Sequence, residues 1–257
     1  MMNKTVAIVT GASQGIGRAT ATRLARDFST IVLAARNRAA LTEVAAEVEH
    51  AGAEPLICDL DLSKAEAADA LVSTVLHRFG RLDALLNIAG AVPQIDLFEM
   101  TDEQWQSGAE LKLHGARRLT IRAWDALKTA QGSVVFISGN SALHPNPAFA
   151  AVATINSAIV TLARAFAEQG IKDGVQVNSL LPGAVMTGRR RSFLEHWAPA
   201  HGMTVQEATS RFPEQAQISR FGQPQEIAGL LAFMVSPAAK WMTGASLRMD
   251  GGEIKGI

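Results

Sequence analysis

The run Thr5–Thr10 passes without interruption into Thr10-Gly11-Ala12-Ser13-Gln14-Gly15-Ile16-Gly17, which opens a segment of helical periodicity. Few local patterns restrict a chain as much as strand, glycine turn, helix. The glycines allow a tight turn, close approach of backbone to a ligand, and close packing of helix on strand. The first helical turn leaves unpaired N–H groups at the positive end of the helix dipole, which suits a pyrophosphate. Gly11, Ser13, Gln14, Gly15, Ile16 and Gly17 are therefore expected to hold the phosphates of a dinucleotide.

The rest of the chain extends the pattern. Apolar runs at 30–35, 54–59, 82–87, 133–138, 175–181 and 246–250 alternate with helical stretches at 39–50, 64–79, 103–128, 150–169 and 224–234. Continuous apolar runs suit strands buried on both faces, and strand–helix alternation means right-handed parallel units. The expected fold class is α/β: a doubly wound, Rossmann-type parallel sheet of about seven strands flanked by helices. No linker or repeat divides the 257 residues, so 1–257 reads as one dinucleotide-binding domain. Residues 188–223 break the rhythm and read as a substrate-side loop or helix insertion. Its Arg189-Arg190-Arg191 is either a faint sign of an anionic ligand or simply a solvated run.

Several function classes are excluded by composition. Lys plus Arg is 24 and Asp plus Glu is 24, so no basic surplus points to nucleic acid or an anionic membrane. The single cysteine, Cys58, rules out an intrachain disulfide and reads as a packed apolar side chain. No His/Cys/Asp/Glu group has metal-ligand spacing. The most apolar stretch, 148–167, is interrupted by Asn156 and Arg164 and reads as a core helix rather than a membrane span. A cytoplasmic setting is the expectation.

The spacing Gly-x-x-x-Gly-x-Gly after Thr10 resembles the short-chain dehydrogenase/reductase family, and further marks follow in order. Asp59-Leu60 resembles the family's adenine-contacting pair. Asn87-Ile88-Ala89-Gly90 resembles its Asn-Asn-Ala-Gly turn, with Ile88 in place of the second Asn. Pro182-Gly183, followed by Thr187, resembles the segment that meets the nicotinamide carboxamide. Gly222-Gln223-Pro224-Gln225-Glu226 and Asp250-Gly251-Gly252 resemble the C-terminal signatures. The resemblance, from about residue 4 to 252, implies a nicotinamide cofactor contacted by Asp59, Leu60, Asn87, Ala89, Gly90, Pro182, Gly183 and Thr187. It also implies a small-molecule substrate and a homotetramer built on the two long central helices.

An NAD site usually carries an acid at the end of the second strand, on the ribose 2′-hydroxyl. Here that position is Ala35, followed by Arg36. The small side chain leaves room for a 2′-phosphate and the guanidinium supplies charge-assisted donors, with Arg38 as a second contributor. NADP is the expected cofactor in preference to NAD.

The family's catalytic set is Asn, Ser, Tyr and Lys, and this chain contains no tyrosine. The resemblance places Lys112 at the Asn position, Gly139 at the Ser position, Val152 at the Tyr position and Asn156 at the Lys position. Lys112 and Asn156 thus exchange the ammonium and the amide, unless Lys112 reaches solvent and Asn156 caps a local backbone group. Ser141 and His144 are further candidates, since a hydroxyl can hydrogen-bond a carbonyl and His titrates in the useful range. The expected function is an NADP-dependent oxidoreductase of a small carbonyl or hydroxyl compound with non-standard proton-transfer residues: Lys112, Asn156, Ser141 and His144. The alternatives are a nucleotide-binding protein without redox turnover and a non-redox enzyme that keeps the cofactor as scaffold.

Overall fold

The apolar runs form one sheet: β1 (Val6–Thr10), β2 (Thr30–Ala35), β3 (Glu54–Asp59), β4 (Ala84–Asn87), β5 (Ser133–Ile137), β6 (Gln176–Pro182) and β7 (Ser246–Met249). In this computed structural model, which describes residues 5–256, all seven pair in parallel in the order β3-β2-β1-β4-β5-β6-β7. Met1–Lys4 and Ile257, which the single-domain reading of 1–257 includes, lie outside the described residues. Strand order reverses at β1, which pairs with β2 on one side (Val6 beside Thr30) and β4 on the other (Ala7 beside Ala84). Such a switch point opens a crevice beyond the carboxyl ends of the strands.

Both faces of the sheet are buried, which is why its strands are apolar throughout. Val6 and Ile8 of β1, with Val134 and Phe136 of β5, pack beneath α3 (Ala67–Phe79), α5 (Ala116–Ala130) and α6 (Ala150–Asp173). Their neighbours Ala7, Val9, Val135 and Ile137 face the opposite layer of α1 (Gly15–Leu24), α2 (Arg38–His50) and α9 (Pro224–Met234). Cys58 belongs to the first core, and burial pushes its thiol up to about 11, as an inert packed side chain requires.

One expectation needs correction. The helix expected over 103–128 is broken into α4 (Asp102–Ala109), a π turn (Glu110–Gly115) and α5. Gly115 lies against the chain after β3, where any Cβ would come within 2.6 Å of the Leu62 carbonyl oxygen. Arg118 spans the turn to Glu110 and also donates to the Ser63 carbonyl (3.3 Å). Residues 188–223, expected as a loop or helix insertion, form α7 (Gly188–Ala200) and α8 (Val205–Gln215) around a small core of Leu194, Ala198, Ala208, Ile218 and Phe221. A parallel bridge between Val185 and Gly222 closes the excursion. The helical stretch 147–173 is, by length and hydropathy alone, sufficient to cross a bilayer. Here Ile159, Ala163 and Ala167 place one face of it in the core beside β5 and β6.

Candidate active site

At the end of β1 the chain turns through Gly11 (φ 66°) and Gly15 (φ 56°), left-handed conformations that favour glycine. A Cβ on Gly11 would lie 3.0 Å from Ala89 Cα, and one on Gly17 would run into the Gly11 carbonyl. The Thr10 hydroxyl locks this crossing: it donates to Leu86 O (3.2 Å) and accepts from the N–H groups of Ile88 (2.8 Å) and Ala89 (3.0 Å). The turns after β1 and β4 are therefore one rigid unit. Gln14 caps α1 without a side-chain hydrogen bond, and the first turn of α1 carries no acid, so its N–H groups remain open to an anion. Thr187 closes the cradle, since a Cβ on Gly15 would meet its Cγ2 at 3.4 Å. Gly183 lies against Asp250, with 2.5 Å between a notional Cβ and that of Asp250.

Two sequence expectations are narrowed here. Asn87 is buried and its side-chain amide donates to Thr120 Oγ1 (3.0 Å), so its side chain serves the fold. Arg38 is bound to Asp59 (2.6 Å), whereas Arg36 is exposed and forms no ion pair among the described residues. Burial raises the Asp61 carboxyl, but hydrogen bonds from Ser63 and the charge of Arg36 bring it below its usual range. Arg36 is thus the guanidinium left free at the end of β2. Leu60 continues the β3 ladder by donating its N–H to Ala35 O (3.1 Å) and packs on the core.

Beside this cradle lies a polar cluster. Lys112, carried by the π turn, runs its side chain along Gly90, where a Cβ would come within 3.0 Å of Lys112 Cδ. Its Nζ donates to Asn156 Oδ1 (2.5 Å) and to the Ser138 carbonyl (3.0 Å). The Asn156 amide donates in turn to Ser141 Oγ (2.8 Å), while the Ser138 hydroxyl donates to the Asn156 carbonyl (2.8 Å). Lys112, Asn156 and Ser141 are therefore brought together. Gly139 is part of the arrangement: a Cβ there would press to 2.6 Å from Asn156 Nδ2, so the glycine makes room for the asparagine. Val152 packs with Val92, Trp105 and Leu113 in an apolar wall. His144 is exposed and makes no hydrogen bond among the described residues, and Thr154 is exposed as well.

Burial, and to a lesser degree the charge of Arg189, pull the Lys112 ammonium down to about 7. An amine near that value can both give and take a proton around neutrality. Arg189 had stood only as part of a triple-arginine run. Its guanidinium donates to the carbonyls of Gly90 (3.4 Å) and Val92, and burial lowers its pKa. Only its place two residues beyond Thr187, at the start of a helix, could have flagged it.

Comparison with known proteins agrees with this geometry. Residues 11–253 match the family described as enoyl-(acyl carrier protein) reductase. The chain is 31% identical over 252 residues to a 3-oxoacyl-[acyl-carrier-protein] reductase of Synechocystis sp., covering 97% of this chain and 96% of that one. It is also 31% identical over 253 residues to a short chain dehydrogenase/reductase of Aspergillus oryzae, covering 96% and 94%. The L-sorbose reductase of Gluconobacter frateurii, solved with NADPH and L-sorbose, superposes with a TM-score of 0.93 at 28% identity over 100% of both chains. In fold, glycine turn and end-to-end similarity alike, the chain belongs to the short-chain dehydrogenase/reductase family.

Proposed function

We propose that the protein is an NADP-dependent reductase of a small carbonyl compound in which Lys112 supplies the proton. The observation that carries this reading is the Lys112 ammonium itself. It is partly buried beside the cofactor cradle, held by two acceptors, drawn to about 7, and balanced by no acid among the described residues.

The glycine turn, the open N-terminus of α1 and Thr187 fit a dinucleotide, and Arg36 beside Ala35 fits a 2′-phosphate. When bound, the cofactor supplies the hydride that reduces a carbonyl carbon. Two of the three Lys112 donors are spent on Asn156 and Ser138, so the third is left for the carbonyl oxygen of a substrate. Lys112 releases that proton as charge builds on the oxygen, and is reprotonated from solvent. Asn156 fixes the ammonium, and Ser141 fixes Asn156. Residues 188–223 supply the substrate-side wall, and the fold assembles as a homo-oligomer on α5 and α6.

Oxidation of NADPH, followed by its absorbance with a broad panel of aldehydes and ketones, tests the reading. Losing a general acid costs about 10²- to 10⁴-fold, so Lys112→Met should lower kcat/KM by that factor while NADPH binding persists. A Lys112→Met variant as active as the parent overturns the role of Lys112. If no carbonyl compound supports oxidation by the parent, the nucleotide-binding reading without redox turnover takes its place.

A further inference from the structure

Two cations flank a single residue at the edge of the site. Gly90 meets the methylenes of Lys112 on one side, and its carbonyl accepts from Arg189. Neither the half-buried Lys112 nor the exposed Arg189 forms an ion pair among the described residues, although other half-buried cations here have an acid. Arg81 has Asp83, Arg118 has Glu110, and Arg18 has Glu43 and Glu47. The neighbouring Arg190 is accounted for by the Phe193 and Phe212 rings at 5.6 and 5.1 Å and by the charge of Glu253. Arg189 is not. Among the described residues its guanidinium is held only by backbone carbonyls, and its charge works against that of Lys112.

The Lys112 ammonium is withdrawn from water and has no acid among the described residues, a cost that an anion arriving between it and the exposed Arg189 would offset. We propose that Arg189, beside Lys112, is the subsite for the carboxylate of the substrate, so that the carbonyl compound reduced here is a short oxo acid. The direction in which Arg189 points supports a substrate rather than cofactor phosphate. Thr187 faces Gly15 of the phosphate turn, whereas the Arg189 guanidinium is turned onto the carbonyls of Gly90 and Val92. Val92 also belongs to the apolar wall with Val152 and Trp105. Two of the five Arg189 donors go to backbone, which leaves the others for a bidentate carboxylate. Since both cations border Gly90, the carbonyl and carboxylate of the substrate must be only a few bonds apart. The carbonyl carbon gains the hydride, its oxygen gains the Lys112 proton, and the carboxylate is unchanged.

This inference rests on the reductase reading, and the test separates the two. The parent, Arg189→Gln and Arg189→Lys proteins are assayed for NADPH oxidation with straight-chain 2-, 3- and 4-oxo acids and their methyl esters. In parallel, binding of NADPH, and of malonate to the NADPH complex, is followed by calorimetry. The parent should prefer at least one acid over its ester by about 10- to 100-fold in kcat/KM, the worth of a charge-assisted contact. That ratio should collapse in Arg189→Gln and recover in large part in Arg189→Lys, which keeps the charge but not the two-carbonyl clamp. Equal turnover of acid and ester by the parent overturns the subsite. A loss of NADPH affinity in Arg189→Gln with the acid preference intact also overturns it, and assigns Arg189 to cofactor phosphate. If neither acid nor ester is reduced, the reductase reading fails. Malonate binding that depends on Arg189 then upholds the anion site, and its absence overturns it.

Discussion

Lys112 and Asn156 lie 44 positions apart in sequence, yet their side-chain atoms meet at 2.5 Å. An ammonium at about 7 must be protonated to give its proton, so kcat/KM for reduction should fall as pH rises through about 7. The reverse oxidation should rise over the same range, and a profile of reduction that stays flat from pH 6 to 9 would overturn the role of Lys112. Stability carries the same signature with a definite sign. The unfolded chain holds the Lys112 proton below its ordinary value of 10.5, whereas the folded chain holds it only below about 7. The folded state therefore loses stability as pH falls from 10.5 toward 7 and loses no more below that. Denaturant titrations of the parent should show this slope relative to Lys112→Met, whose curve lacks it. Arg36 makes a separate prediction: NADPH should bind about tenfold to a hundredfold more tightly than NADH, and Arg36→Ala should erase most of that gap. Fluorescence titration of both cofactors checks it, and equal affinities in the parent would refute it. The cradle residues were legible in the sequence because a glycine turn is specified by local backbone demands. The lysine–asparagine exchange was legible only as two substitutions. The space that lets them meet comes from Gly139 and Gly90, whose contacts are tertiary.

Among the elements, the π turn at Glu110–Gly115 is the one no periodicity announced. One extra residue per turn shifts the register of everything before it, and such turns recur at functional sites. Its cause is long-range, the pressing of Gly115 onto the Leu62 carbonyl, so a reading confined to the local sequence gave one continuous helix. Gly115→Ala must therefore move backbone against backbone, and should destabilise the protein by about 1–3 kcal/mol. It should also reduce turnover more than cofactor affinity, because the displaced segment carries Lys112. An unchanged melting temperature would show that the turn has slack. The choice between loop and helix over 188–223 stays open in the sequence for a different reason. Pro199 and Pro213 lie inside α7 and α8, and proline in a helix interior argues against helix. The signal that could have settled it was Thr204-Val205-Gln206-Glu207, a capping box that the structure forms in full. By contrast α9 starts at Pro224 and ends at Met234, the bounds its sequence indicated, because a proline at the first helical position fixes the start.

At the scale of the whole molecule, the apolar character of 148–167 needs two explanations rather than one. Ala151, Ile155 and Ile159 are buried within the chain, so they do not call for a partner. What remains outside is a groove between α5 and α6, lined by Ile121, Trp124, Leu162, Ala165 and Phe166. Ile121 is 49% exposed, and the Trp124 and Phe166 rings lie 5.5 Å apart at a tilt of 32°, a preformed apolar surface. Two copies facing each other about a twofold axis would cover it on both sides at once, and a stable pairing buries about 1,200–2,000 Å². Light scattering after size exclusion should therefore show a dimer or tetramer at micromolar concentration. Ile121→Asp combined with Ala165→Asp should give monomers that stay folded, because both side chains are exposed and neither belongs to the central core. A monomeric parent would refute the assembly. The same helices reach inward to the site: α5 continues from the π turn that carries Lys112, and α6 carries Asn156. Packing on the outer face of this helix pair restrains both partners of the 2.5 Å contact on the inner side. The monomeric double variant should then bind NADPH nearly as the parent does, yet turn over more slowly. If dissociation leaves turnover unchanged, each protomer holds its own site without help from a neighbour.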